Sequence, residues 1–291
     1  MDDAQAAPAV RRGAAPATLA GLTCLAMAAF AANSLLARAA FQTTPIDAAS
    51  FTAIRLASGA VTLLLILKWR GGRLADTKAG WQSALLLFTY AAAFSFAYRD
   101  IGTGAGALVL FASAQLLMIS YGLFQGERAS PWGLLLALGG MAAFLAPSAS
   151  APPPGAAALM ALAGFAWGGF SLLGRASGEP VASTAASFLW SLPCALVLVL
   201  ARGGHAHLDG TGAVYALLSG CLASAIGYAI WYWVRVRIPA ISAGAVQLSV
   251  PVISAGFGVA LLGERVTARS ALCALATLGG VAWVTLTARK R

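Results

Sequence analysis

Ser34-Leu35-Leu36-Ala37-Arg38-Ala39 and Ser171-Leu172-Leu173-Gly174-Arg175-Ala176 differ at one residue and stand 137 positions apart, 34 against 171. The same offset sets Ala48-Ala49-Ser50-Phe51 on Ala185-Ala186-Ser187-Phe188, and Gly126-Glu127-Arg128 on Gly263-Glu264-Arg265. An Ala/Leu-rich chain matches itself often by accident, but one ungapped offset serving three blocks points to a duplication. Each copy carries five apolar spans. Five is odd, so the second copy enters a bilayer from the side opposite to the first. Inverted repeats of this kind mark alternating-access transporters, with the substrate site near the midplane between the halves.

Composition demands a bilayer. The 291 residues are 60% hydrophobic and 10% charged, with a mean hydropathy of +0.82. Soluble proteins hold about 25% charged residues, so this chain lacks the groups to cover a water-facing surface, and lipid is its first partner. The net charge of +10 is scattered over short loops and the two ends. It forms no basic stripe and no nucleic-acid motif, which argues against a nucleic-acid partner. Cys24, Cys194, Cys221 and Cys273 lie in apolar segments without a CxxC neighbour and read as small core residues. No metal site and no cofactor are expected. Enzyme motifs such as HExxH and GxSxG are missing, and Gly102-Thr103-Gly104-Ala105-Gly106 lacks the strand that a dinucleotide turn needs. Arg11-Arg12 precede an apolar run from about Ala14 to Ala37 that is too long for a signal peptide and has a repeat partner, so it reads as the first span.

Ten spans are predicted, at about 17–39, 47–68, 80–98, 102–124, 129–147, 155–175, 181–202, 210–234, 239–263 and 267–288. About 20 residues of helix cross the hydrocarbon core, and helices satisfy their own backbone in lipid. Pro45, Pro131, Pro152-Pro153-Pro154, Pro180 and Pro239 fall at or near span ends. The expected class is an all-α membrane protein, ten transmembrane helices in two inverted five-helix repeats around a central cavity. Its parts are a cytoplasmic tail at 1–16, the first repeat at 17–147, a linker at 148–154, the second, inverted repeat at 155–288, and a cytoplasmic tail at 289–291. With the N-terminus inside, 13 Lys/Arg fall on the cytoplasmic side and 5 outside, which favours both termini in the cytoplasm. The expected location is the cell inner membrane.

The ten short spans, the five-plus-five repeat and the Gly-Glu-Arg after the fourth span of each half resemble the EamA-type branch of the drug/metabolite transporter superfamily. The second copy also has that family's mid-span proline, Pro251, where the first has Ala114. The resemblance covers roughly residues 17–288. It implies a ten-helix basket whose cavity is lined by spans 1, 3, 4, 6, 8 and 9. Similar bacterial members export amino acids, aromatic ones included.

On those spans the polar or aromatic groups near mid-span are Asn33, Tyr90, Phe111, Gln115, Trp167, Tyr228, Trp231, Gln247 and Ser249, the candidate substrate-binding set. Amides and hydroxyls avoid lipid, so they face either a neighbouring helix or a water-filled site. Trp167 has Phe30 as its repeat partner. Gly104, Gly106 and Pro251 are candidate hinges. Trp69, Trp81, Trp132 and Trp283 fall near span ends and read as interface anchors. No Asp, Glu or His is drawn near a midplane, so the expected transport is uncoupled from protons. Glu127 and Glu264 are expected to tie their own turns to the neighbouring arginine. Arg55, the one charge drawn inside a span, is expected to snorkel outward or pair with Asp47. A cavity cation that attracts a substrate carboxylate is the alternative, set second because the second span is peripheral in the implied basket. The reading is an exporter of small metabolites, foremost amino acids including aromatic ones, working as a monomer, with oligomers left open. The alternatives are export of drugs or nucleosides and flipping of a lipid or other amphiphile.

Overall fold

A computed structural model describes residues 16–74, 80–126, 130–147, 151–174, 179–203, 207–235, 237–238 and 246–287. Among them are ten helices and no strand. They are α1 (Pro16–Thr43), α2 (Ala48–Trp69), α3 (Trp81–Ala97), α4 (Thr103–Phe124), α5 (Pro131–Leu145), α6 (Pro154–Leu173), α7 (Pro180–Ala201), α8 (Gly210–Arg235), α9 (Ser249–Leu262) and α10 (Ala268–Thr287). Seven are long and apolar enough to cross a membrane; α3, α5 and α9 are apolar but have 17, 15 and 14 residues. The chain is a multi-pass membrane protein.

The helix ends follow from local chemistry. Prolines open α5, α6 and α7, where a missing N–H costs no hydrogen bond. Side chains of Asp47, Ser130, Glu179 and Asp209 accept backbone N–H groups at the starts of α2, α5, α7 and α8, which satisfies donors a helix leaves orphaned. At the other ends, Gly126 and Gly263 follow α4 and α9 with φ of 84° and 65°. A side chain resists that left-handed conformation, which accounts for the glycine of the repeated Gly-Glu-Arg.

Two helices in the second half are irregular. Ser219–Ile226 within α8 is wound as a π-helix. Ahead of α9, residues 246–247 are helical, Leu248 forms a turn, and Ser249 restarts the helix. Pro251 explains that break: its ring clashes with the carbonyl four residues back, at Gln247, and it has no N–H to donate there. Ala114, at the equivalent place, leaves α4 unbroken.

The packing repeats itself when the halves are exchanged. Helix α2 packs on α7, α4 on α9, and α5 on α10, each on its own counterpart. Helix α3 packs on α6 and α7 as α8 packs on α1 and α2, and α4 meets α6 as α9 meets α1. Equivalent residues touch across the halves. Phe30 and Trp167 are edge to face at 6.3 Å, and a Cβ on Gly140 would lie 2.6 Å from the Thr277 nitrogen. The inversion is visible at one end of the bundle. Arg38 near the C-terminal end of α1, Pro153 before α6, Gly102 before α4 and Glu264 after α9 all border a single cleft. Counterpart helices therefore run antiparallel.

Candidate functional site

Where α1, α3, α6 and α8 converge, the chain stacks aromatic rings. Phe30 from α1 stands edge-on to Trp167, Tyr228 and Trp231, at 6.3, 5.7 and 6.1 Å between centroids. Trp167 from α6 lies 5.1 Å from Tyr90 and 5.2 Å from Tyr228. Tyr90 in turn contacts Phe94 at 5.5 Å. These are the separations at which ring pairs attract beyond simple burial. The rings enclose a cavity of about 20 Å³, completed by Asn33, Ser34, Leu110, Phe111 and Ala223. A volume of that size holds about one water, so a metabolite enters only when these helices separate.

Five of the candidate residues meet here: Asn33, Tyr90, Phe111, Trp167 and Tyr228 line the cavity. Trp231 is buried against Phe30 behind them. Gln115 is buried one turn beyond Phe111 and does not line the cavity. Gln247 is half-buried before α9, and the Ser249 hydroxyl donates to the Val246 carbonyl at 2.7 Å, capping its own turn. Gly104 and Gly106 are contact points: added Cβ atoms would meet the Ala255 Cβ at 2.6 Å and the Tyr98 ring at 2.5 Å. Pro251 borders the cleft at the Glu264 end. That cleft, about 580 Å³ between α4, α9 and α10, shares no lining residue with the aromatic cavity. Trp69, Trp81, Trp132 and Trp283 are exposed on the bundle surface, as interface anchors require.

Arg55 corrects the sequence-based expectation. It neither snorkels nor pairs with Asp47; it is 1% exposed. Its Nη2 donates to the Tyr90 hydroxyl at 2.9 Å and its Nε to the Ser224 hydroxyl at 3.3 Å. The guanidinium carbon lies 4.7 Å from the Phe94 ring centroid and 5.0 Å from that of Tyr90. Tyr90 also accepts from Asn33 Nδ2 at 3.2 Å, and Asn33 Oδ1 accepts from Ser219 at 2.6 Å. One network thus joins α2, α3, α1 and the π-wound part of α8. Asp47 instead caps α2. Burial pulls its carboxyl upward, but hydrogen bonds from Ser50, Ala49 and His207 outweigh that and hold it below the ordinary aspartate range.

Glu264 is the second correction. It does not tie to Arg265. It crosses to the first half, where both carboxylate oxygens accept from the Thr103 N–H at 2.8 and 2.9 Å and one from the Thr103 hydroxyl at 2.9 Å. Arg38 Nε stands 3.6 Å away, and Arg38 Nη1 donates to the carbonyls of Tyr98 and Arg99. Glu264 therefore caps α4, where the helix dipole favours an anion, and fastens α1, α3, α4 and α9 together at one end. Glu127, its repeat counterpart, lies outside the described residues.

The comparisons fit this architecture. Residues 155–286 match the profile of the EamA-like transporter family. An uncharacterized protein of Pseudomonas aeruginosa is 51% identical over 266 residues, 90% of this chain and 93% of that protein. The chain belongs to the EamA-like transporter family. A solved crystal structure, 19% identical, superposes with a TM-score of 0.65 over 93% of this chain and 99% of that one, which shows the shared fold. The family match falls on the second repeat. The relation of the first repeat to the second, Phe30 against Trp167 and Gly126 against Gly263, extends the same architecture to the whole EamA chain. As an EamA-family member, the protein is a membrane transporter.

Proposed function

We propose that this transporter exports small metabolites, foremost amino acids including aromatic ones, from a cell inner membrane with both its termini in the cytoplasm. The observation that carries this reading is the aromatic cavity between the halves, centred on the repeat-equivalent pair Phe30 and Trp167. A site at the interface of inverted repeats serves alternating access, and ring faces suit an apolar or aromatic body. In the cycle the halves rock about the two-fold axis, with the break before Pro251 and the close contacts at Gly104 and Gly106 as the places where α9 and α4 give. Transport runs down the substrate gradient: among the described residues the acidic side chains sit at helix ends, and a proton relay needs ionisable groups inside the membrane.

The test is uptake of labelled phenylalanine and alanine into liposomes holding the purified protein, with and without a pH gradient. Saturable uptake that ignores the gradient, and that falls at least ~10-fold in Trp167→Phe while the thermal midpoint stays near wild type, is the expected result. Absence of flux for any amino acid overturns the cargo. Accumulation driven by the gradient overturns the uncoupled mechanism.

A further inference from the structure

Among the described residues, no carboxylate pairs with the buried charge of Arg55. Arginine keeps its proton in proteins, and Arg55 lies seven residues into α2, about 10 Å along the helix axis. The acidic residues described are Asp47, Asp100, Glu179, Asp209 and Glu264, all at helix ends. Glu264, at the bundle end, faces Arg38 instead. Arg55 is held by two hydroxyls and two ring faces, and its Nη1 has no hydrogen-bond partner there. Such a charge is costly to keep in a membrane interior, and an apolar side chain would fill the same space. The neighbouring backbone is shaped around it. A Cβ on Gly220 would run into the Ser58 hydroxyl and the Arg55 carbonyl, so only glycine lets α8 approach α2 this closely. The π-helical turn then sets Ser224 against the guanidinium, and π-turns recur at functional sites.

The unpaired polar groups between Arg55 and the cavity can all donate. Tyr90 lines the cavity and accepts from both Arg55 and Asn33. With both lone pairs engaged, its own proton is what it has left to offer. Trp167 Nε1, which is only a donor, has no acceptor, and the Tyr228 hydroxyl, beside that of Tyr90 but outside hydrogen-bond geometry, has none either. Both residues line the cavity. A wall of buried donors backed by a cation, set in aromatic rings, is the complement of a carboxylate on an aromatic body. The same wall disfavours a lone ammonium, since it offers ring faces but no anion.

We infer that Arg55, acting through the Tyr90 hydroxyl, anchors the carboxylate of the transported molecule, so that the cargo is an organic acid with an aromatic or apolar body whose amine is dispensable. This rests on the transporter reading above and narrows it: the carboxylate, not the amino group, is the recognised feature. Arg55 is here a positioning and specificity residue, not a wall of the cavity.

The experiment measures binding apart from flux. Purified wild type is titrated with 3-phenylpropionate, phenylalanine and phenethylamine, read by thermal shift and by competition with labelled phenylalanine. Phenylpropionate and phenylalanine are expected to raise the melting temperature, and phenethylamine to leave it unchanged. Arg55→Gln is expected to melt no lower than wild type without ligand, because an unpaired buried charge is gone, and to bind phenylpropionate ~10–100-fold more weakly. Arg55→Lys should restore part of the preference for the carboxylate. Should Arg55→Gln fail to fold, Tyr90→Phe carries the test, with the same loss expected for phenylpropionate. Equal binding of phenethylamine and phenylpropionate by wild type overturns the inference, as does an unchanged preference in Arg55→Gln, or in Tyr90→Phe where that variant stands in. Binding of none of the three probes also overturns it. Selective carboxylate binding without any flux in liposomes leaves the anchor standing and removes the export reading instead.

Discussion

Removing the Glu264 carboxylate should unlock the end of the bundle that it fastens. Three interactions end on it: the N–H and hydroxyl of Thr103 at 2.8–2.9 Å, and Arg38 at 3.6 Å, with both charged side chains 16% exposed. A helix cap is worth ~1 kcal/mol, and a hydrogen bond to a charged group ~1.5–3 kcal/mol. The ion pair adds less than one more, because it is long and partly wet. Glu264→Ala should therefore weaken closure by about 3 kcal/mol, a shift of roughly 100-fold between locked and unlocked forms. Glu264→Gln keeps an acceptor for Thr103 and should shift it about five-fold. Ser34 reports the change, since it lines the cavity one turn below Arg38 and is buried. In a background with the four native cysteines replaced, Ser34→Cys is labelled by a membrane-impermeant thiol reagent applied from the Glu264 side. Labelling should quicken about 100-fold in Glu264→Ala and only a few-fold in Glu264→Gln, and Arg265→Ala should label like the parent. Equal labelling of Glu264→Ala and its parent, with both shown folded by their melting temperatures, would refute the lock.

Gly220→Ala should cost ~1–3 kcal/mol by overpacking, because the new methyl collides with Ser58 and the Arg55 backbone; a melting temperature equal to wild type would contradict the close contact of α2 and α8. Asp47 supplies a pH dependence. Its folded carboxyl titrates below the ordinary range, so its stabilising effect is complete above about pH 4. That effect fades as pH falls through the depressed folded value. Asp47→Asn should flatten this acid limb of the stability profile, and an acid limb identical to wild type would assign it to other groups.

The sequence was a good guide wherever the property is local or periodic. Hydropathy and prolines at the span ends located the ten helices, seven of them long enough to cross a membrane, while α9 is shorter than the expected 239–263 because Pro251 breaks it. The 137-residue offset carried the symmetry and paired Phe30 with Trp167 as equivalents, because duplicated segments fold alike and an odd number of spans inverts them; that the two rings meet came from the packing. The repeated Gly-Glu-Arg was half legible. Its glycine is a matter of backbone conformation and is readable in place, whereas the partner of its glutamate stands 161 residues away on Thr103. Arg55 shows the same limit. Its depth in a span flagged it, but a helical sequence does not say which face meets which neighbour. Only the approach of α8 at Gly220 reveals that hydroxyls and rings, and no carboxylate, surround the charge. The chain by itself determined the spans, the inversion and the scarcity of acids. Tertiary structure decided which polar groups gather around the cavity and which glutamate fastens one end of the bundle, because those depend on contacts between segments that share no local pattern.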